Sequence, residues 1–167
     1  AIAVFIALPR VAAAAAASWI EVKAPDERLI VVTDAGEKAG RKIALQLIRF
    51  DRSLQKRFAW IRPDEGPPLM VFASVDEPTV RSMASEWSEA EPDQALSSYL
   101  TGPSQHVGAL KADLPEPSDK ERSPLRGFYR GRASALVEQA LGKPAPWLSR
   151  GLVMFLADSV VKDREIL

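Results

Sequence analysis

The apolar residues from Leu29 to Phe58 change their spacing once, and that change limits the fold more than any other feature of the chain. Leu29-Ile30-Val31-Val32 is a near-continuous β-branched run, which suits a buried strand. Beyond Asp34, the residues Ile43, Leu47, Phe50, Leu54 and Phe58 recur at steps of four, three, four and four, so a helix carries them on one face. Asp34 and Glu37 have the spacing of a capping box at the start of that helix. The other face holds Lys38, Arg41, Lys42, Arg49, Arg52 and Lys56. Glu37 and Asp51 interleave with these cations, so the face reads as solvated rather than as a nucleic-acid stripe.

The remaining segments fit around this strand and helix. Trp19 to Val22 alternates as a strand does, and Ala24-Pro25-Asp26-Glu27 turns it into the β-branched run. After the loop from Pro63 to Pro68, Leu69 to Ala73 reads as a central strand. Ser74 or Asp76 caps the next helix, which has Pro78 in its first turn and Val80, Met83, Ala84 and Trp87 on its apolar face. Ser97 to Thr101 and His106 to Ala112 read as strands about the turn Gly102-Pro103-Ser104, and Leu114 to Pro124 as a loop. Two helices follow. The first runs from about Leu125 to Leu141 and stops at Gly142. The second, Trp147 to Ser159, follows the connector Lys143-Pro144-Ala145-Pro146 and has Leu148, Leu152, Phe155 and Leu156 on one face. Val161 to Leu167 reads as a strand cut short. The four tryptophans read as packing residues, with Trp147 as a core anchor. Strands and helices mix early and helices segregate at the end, so the expected class is α+β.

Composition narrows the chemistry. Twenty-two basic and twenty-two acidic residues leave no net charge to draw the chain onto nucleic acid or an anionic membrane. With no cysteine there is no disulfide, thiolate metal site or cysteine nucleophile, and His106 is the sole histidine. No G-x-S-x-G elbow and no glycine-rich nucleotide loop is present. Asp64-Glu65 and Asp76-Glu77 fall at a loop and a helix start, where turn and capping roles explain them. Residues 1–17 hold an apolar run, Ala1 to Leu8, then Pro9-Arg10, then Val11 and six alanines. An apolar core followed by small residues is the pattern of a partial secretory signal peptide, too short to span a bilayer. The expectation is therefore an exported protein, periplasmic or extracellular and bacterial, whose domain occupies 18–167 and has no membrane span of its own. Ala1 in place of methionine, and the strand-like end, read as incomplete termini.

The stretches Trp19–Ala44 (W-I-E-V-K-A-P-D-E-R-L-I-V-V-T-D-A-G-E-K-A-G-R-K-I-A), Pro68–Glu77 (P-L-M-V-F-A-S-V-D-E) and Pro146–Leu152 (P-W-L-S-R-G-L), in that order, resemble a peptidase-MA-like domain of exported bacterial proteins. The resemblance covers about Trp19 to the end. It implies a gluzincin-type, zincin-like fold: a small mixed sheet with flanking helices and two C-terminal helices that would carry a metal site. In that plan one helix bears H-E-x-x-H, two imidazoles on one face with a general-base glutamate, and the next helix opens on a W-L-N-E-G-L-like motif that supplies a third ligand. Aligned from Pro124 and Trp147, Arg130 and Ser134 stand where the histidines would be, Gly131 where the general base would be, and Arg150 where the ligand glutamate would be. A guanidinium stays protonated near neutrality and repels a divalent cation, so zinc is implied by the family while its ligands are missing.

The resemblance thus leads to a pseudo-metallopeptidase with no catalytic or metal residue, acting as a binding or interaction module for a protein or peptide partner. Two alternatives stand beside it: an active metallopeptidase or other hydrolase with a displaced site, for which His106 is the candidate, and a structural domain of a longer exported protein. Among Arg126, Arg130, Arg132 and Arg150, the plan turns Arg130 and Arg150 toward one former metal cleft. There they would grip a carboxylate or phosphate. The competing expectation is a closed cleft, with both solvated or paired to Glu138 or Asp158.

Overall fold

In the computed structural model the described residues are 18–25, 27–87, 97–113, 125–157, 161–162 and 165–166. The expected signal segment, the 114–124 loop and Asp158 lie outside them, as does the side chain of Trp87.

The α+β class holds. A five-stranded mixed sheet has the order β1 (Ile20–Lys23), β2 (Leu29–Thr33), β3 (Leu69–Ser74), β5 (His106–Lys111), β4 (Ser97–Leu100). The three central strands are parallel, and β1 and β4 run antiparallel at the two edges. Parallel central strands must be covered on both faces, which is why β3 reads as the run Leu-Met-Val-Phe-Ala-Ser with its residues buried or half-buried throughout. Four helices complete the described fold: α1 (Glu37–Arg57), α2 (Glu77–Trp87), α3 (Arg126–Leu141) and α4 (Pro146–Ala157). Helix α1 lies over β1 and β2, α2 over β3 to β5, and α3 over β4 and β5 with α4 packed against it.

The main core forms where α1 and α3 meet the sheet. Ile43, Leu47, Phe50 and Leu54 of α1 are buried, as their spacing requires, against Leu29, Val31, Leu69 and Val71. Pairing places His106, Gly108 and Leu110 opposite Leu69, Val71 and Ala73, and Tyr99 opposite Gly108. These residues therefore share the core face of the sheet. Gly108 is a close-approach glycine: a Cβ there would lie 2.3 Å from the Phe128 ring. Its absence lets α3 settle onto β5. Gly142, at φ 67°, then ends α3.

Several local expectations are corrected by tertiary contacts. Asp34 does not cap α1, whose N-cap is Gly36. Asp34 instead accepts the Ser74 hydroxyl at 2.6 Å and the Val75 amide at 2.9 Å, clasping the ends of β2 and β3 together. Asp76 does cap α2, accepting the Thr79 amide at 2.9 Å. On α4 the buried residues are Val153, Leu156 and Ala157, so the helix is turned from its expected phase and leaves Leu148 and Phe155 exposed. Trp147 is no core anchor; it is 76% exposed. The expected final strand is two short ones, β6 (Val161–Lys162) and β7 (Glu165–Ile166), paired antiparallel.

Candidate functional site

The four positions carried over from the zinc-peptidase plan divide between two environments. Arg130 and Ser134 follow one line along α3, with Ser134 exposed and Arg130 half-buried, and Glu138 continues that line at the surface. Arg150 is exposed on α4. No hydrogen bond or ion pair among the described residues joins Arg130 to Arg150 or Glu138. Gly131 is different. It lies where α3 crosses β4, and a Cβ built on it would be 2.3 Å from Tyr99 Cβ and 2.8 Å from its Cγ. The tyrosine occupies the space that a side chain at 131 would need.

The donor set at these four positions does not fit zinc. Two guanidiniums, a glycine and a lone hydroxyl offer none of the imidazole, thiolate or carboxylate ligands that hold the ion. Among the described residues, no three of the His, Asp and Glu side chains come together as a metal site.

The chemistry that α3 does organise lies on its inner face, around Arg132, which is only 4% exposed. Its Nε donates to Asp51 Oδ1 at 3.1 Å and its Nη2 to Asp51 Oδ2 at 2.6 Å, a two-pronged pair between α3 and α1. Nη1 donates to the Tyr99 hydroxyl at 3.3 Å. That hydroxyl lies 2.6 Å from His106 Nδ1. A guanidinium can only donate, so the phenol oxygen accepts from Arg132 and its own proton is directed at Nδ1 of a neutral imidazole. The chain Asp51–Arg132–Tyr99–His106 thus ties two helices and two strands together beneath the core. An aromatic row backs it. Tyr99 meets Phe128 edge-on at 5.3 Å, Phe128 meets Tyr129 at 6.1 Å, and Tyr129 stacks on Phe50 at 4.3 Å.

Burial sets the protonation of this network. It lowers the His106 pKa below the ordinary imidazole value, and the Arg132 charge lowers it further. Burial raises the Tyr99 pKa, against the opposing pull of Arg132. Burial also works against the charge of Arg132, but the Asp51 carboxylate and Tyr99 outweigh it, and the net shift is upward. Near neutrality the network is therefore an ion pair linked to a neutral phenol and a neutral imidazole.

Sequence reasoning named Arg132 and His106 without connecting them, did not single out Tyr99, and placed Asp51 on the solvated face of α1, where the structure instead turns it inward to Arg132. A signal was present. Arg132 lies four residues after Phe128 and four before Leu136, and Asp51 lies four after Leu47 and three before Leu54. Each is a charge set into an apolar helical stripe, where it needs a partner.

Compared with protein-family models, curated proteins and solved structures, the chain matches none of the three.

Proposed function

We propose that this chain is a non-catalytic, exported relative of zinc peptidases that acts as a binding or interaction module for a protein or peptide. The observation that carries this reading is the contact of Gly131 with Tyr99. The place that the peptidase plan gives to the general base is filled by packing, since a side chain there would begin 2.3 Å from Tyr99 Cβ. Arg130 and Arg150 support the same reading from the other side. Cations suited to a carboxylate or phosphate stand where ligands of a divalent cation would be. Among the described residues no helix is long and apolar enough to cross a membrane.

The test is metal analysis and proteolysis on the purified chain. Zinc well below one equivalent, and no cleavage of an unfolded protein substrate that a chelator abolishes, are the expected results. Stoichiometric zinc together with chelator-sensitive cleavage would sink the proposal.

A further inference from the structure

Helix α4 is apolar on both sides. Its inner side buries Val153, Leu156 and Ala157. Its outer side carries Trp147, Leu148, Met154 and Phe155, all exposed, with Gly151 between them. Arg150 is the sole charged residue of the helix. A helix that faces water is ordinarily polar on that side, as α1 is with Arg41, Arg49 and Arg52, whereas one that is apolar all round is covered all round. The apolar surface also continues beyond α4. Phe155 meets Phe58 edge-on at 6.1 Å, and Phe58 meets Trp60 at 5.9 Å.

The order of the outer residues selects what covers them. At 3.6 residues per turn, Trp147, Gly151 and Phe155 follow one line along the outside of α4, with Leu148 on one side of it and Met154 on the other. The series reads the same in both directions from Gly151: an aliphatic residue at the third position (Leu148, Met154) and an aromatic one at the fourth (Trp147, Phe155). A two-fold axis through Gly151 that sets two copies of α4 antiparallel therefore brings Trp147 of each copy against Phe155 of the other, and Leu148 against Met154. One patch that complements itself is what a two-fold dimer requires. A Cβ built on Gly151 meets nothing within 4 Å, so the two backbones can close on each other at the axis. Arg150 lies about 100° around the helix from Gly151, so the axis sets the two guanidiniums on opposite sides of the contact.

The area agrees with a dimer. Trp147 and Phe155, 76% and 59% exposed, leave about 300 Å² in water between them. With Leu148, Met154 and Trp60 the patch is on the order of 500 Å² per chain, at the small end of specific interfaces. We propose that the outer face of α4 is a homodimer interface, in which two copies of this chain pack antiparallel about Gly151. The contact uses nothing from positions 130, 131 and 134 on α3, so dimerisation and zinc binding are tested separately.

Sedimentation equilibrium of the purified chain between about 1 and about 300 µM is expected to show a reversible monomer–dimer equilibrium with a Kd of about 10–100 µM. Gly151→Gln fills the open space at the axis with a better helix former, so the variant keeps its thermal midpoint while the dimer weakens by at least about tenfold. The chain has no cysteine, so Leu148→Cys and Met154→Cys variants report the direction of packing without background. When the two are mixed in equal amounts and oxidised, the disulfide between unlike chains is expected well above the two-to-one ratio of random pairing. The proposal is overturned by a chain that stays monomeric throughout, whether or not it binds phosphatidylglycerol vesicles. It is equally overturned by a dimer that Gly151→Gln leaves intact, or by disulfides between unlike chains at or below the random ratio.

Discussion

The inner and outer faces of α3 carry similar residues to different ends. On the inner face Arg132 is buried, with its guanidinium bonded to Asp51 and Tyr99. On the outer line, two residues away, Arg130 is half-buried, Ser134 is exposed, and Arg130 makes no ion pair among the described residues. A buried guanidinium without a carboxylate is strongly unfavourable, whereas one that reaches water needs no protein partner. Position on the helix, rather than residue type, therefore decides which arginine is held in a buried ion pair and which reaches water.

The comparison breaks most sharply at Arg132. Arg132→Met is expected to destabilise the chain by about 3 kcal/mol, because it leaves Asp51 without its partner and removes one of the two hydrogen bonds of the Tyr99 hydroxyl. That figure sits at the low end for a buried pair because the Asp51 side chain is still 24% exposed. Adding Asp51→Leu to Arg132→Met should recover most of the loss, to within about 1 kcal/mol of the parent. Denaturant midpoints of the three variants measure both effects. If the single variant were as stable as the parent, the inner pair would be no more important than an outer arginine.

Gly131→Ala tests the same crossing through shape alone. Alanine is the better helix former by about 1 kcal/mol, but the new methyl collides with Tyr99 Cβ and Cγ. Overpacking of this kind costs about 1–3 kcal/mol, so a net loss of about 1–2 kcal/mol is expected in thermal or denaturant melts. A gain in stability would mean that α3 and β4 are less tightly apposed than the contact indicates.

A smaller effect comes from His106. Its folded pKa is lowered from 6.5, so the unfolded chain takes up the proton first as pH falls. Its contribution is fully present above the unfolded value and is lost as pH falls through the folded one. Tyr99 has the opposite sign: its folded pKa is raised from 10.0, so that contribution is lost as pH rises beyond the unfolded value. In His106→Gln, which cannot titrate, the fall in stability between about pH 7 and about pH 5 should be shallower than in the parent. Parallel curves would remove His106 from the network's energetics.

The smallest changes are expected on the outer side. Arg130→Gln and Arg150→Gln should each alter stability by less than about 0.5 kcal/mol, since neither residue supports a buried partner. A larger loss in either would reveal a structural role and weaken the case that these cations serve a ligand.

Much of the fold was legible because it repeats locally. The steps from Ile43 to Leu54 and the β-branched run from Leu29 to Val32 mark their elements without outside help, and all but Ile30 and Val32, which are half-buried, are buried. Short-range signals misled where a more distant group competed for the same atoms. Asp34 has capping-box spacing, yet it is taken by Ser74 and Val75, forty residues further along the chain. The candidate site was less legible still. Asp51 and Arg132 are separated by 81 residues, and nothing in their neighbourhoods names the partner.

By itself, the amino-acid sequence determined the strands of the five-stranded sheet, the four helices and the α+β class, and that Arg130, Gly131, Ser134 and Arg150 are not ordinary zinc ligands. These depend on side-chain period and on the donor chemistry of single residues, which need no knowledge of neighbours. Only the tertiary structure decided the phase of α4, the exposure of Trp147, the filling of the space beside Gly131 and the joining of Asp51, Arg132, Tyr99 and His106. Those outcomes depend on which faces meet when the chain closes, and the free energy of a buried charge is set by the partner it meets there.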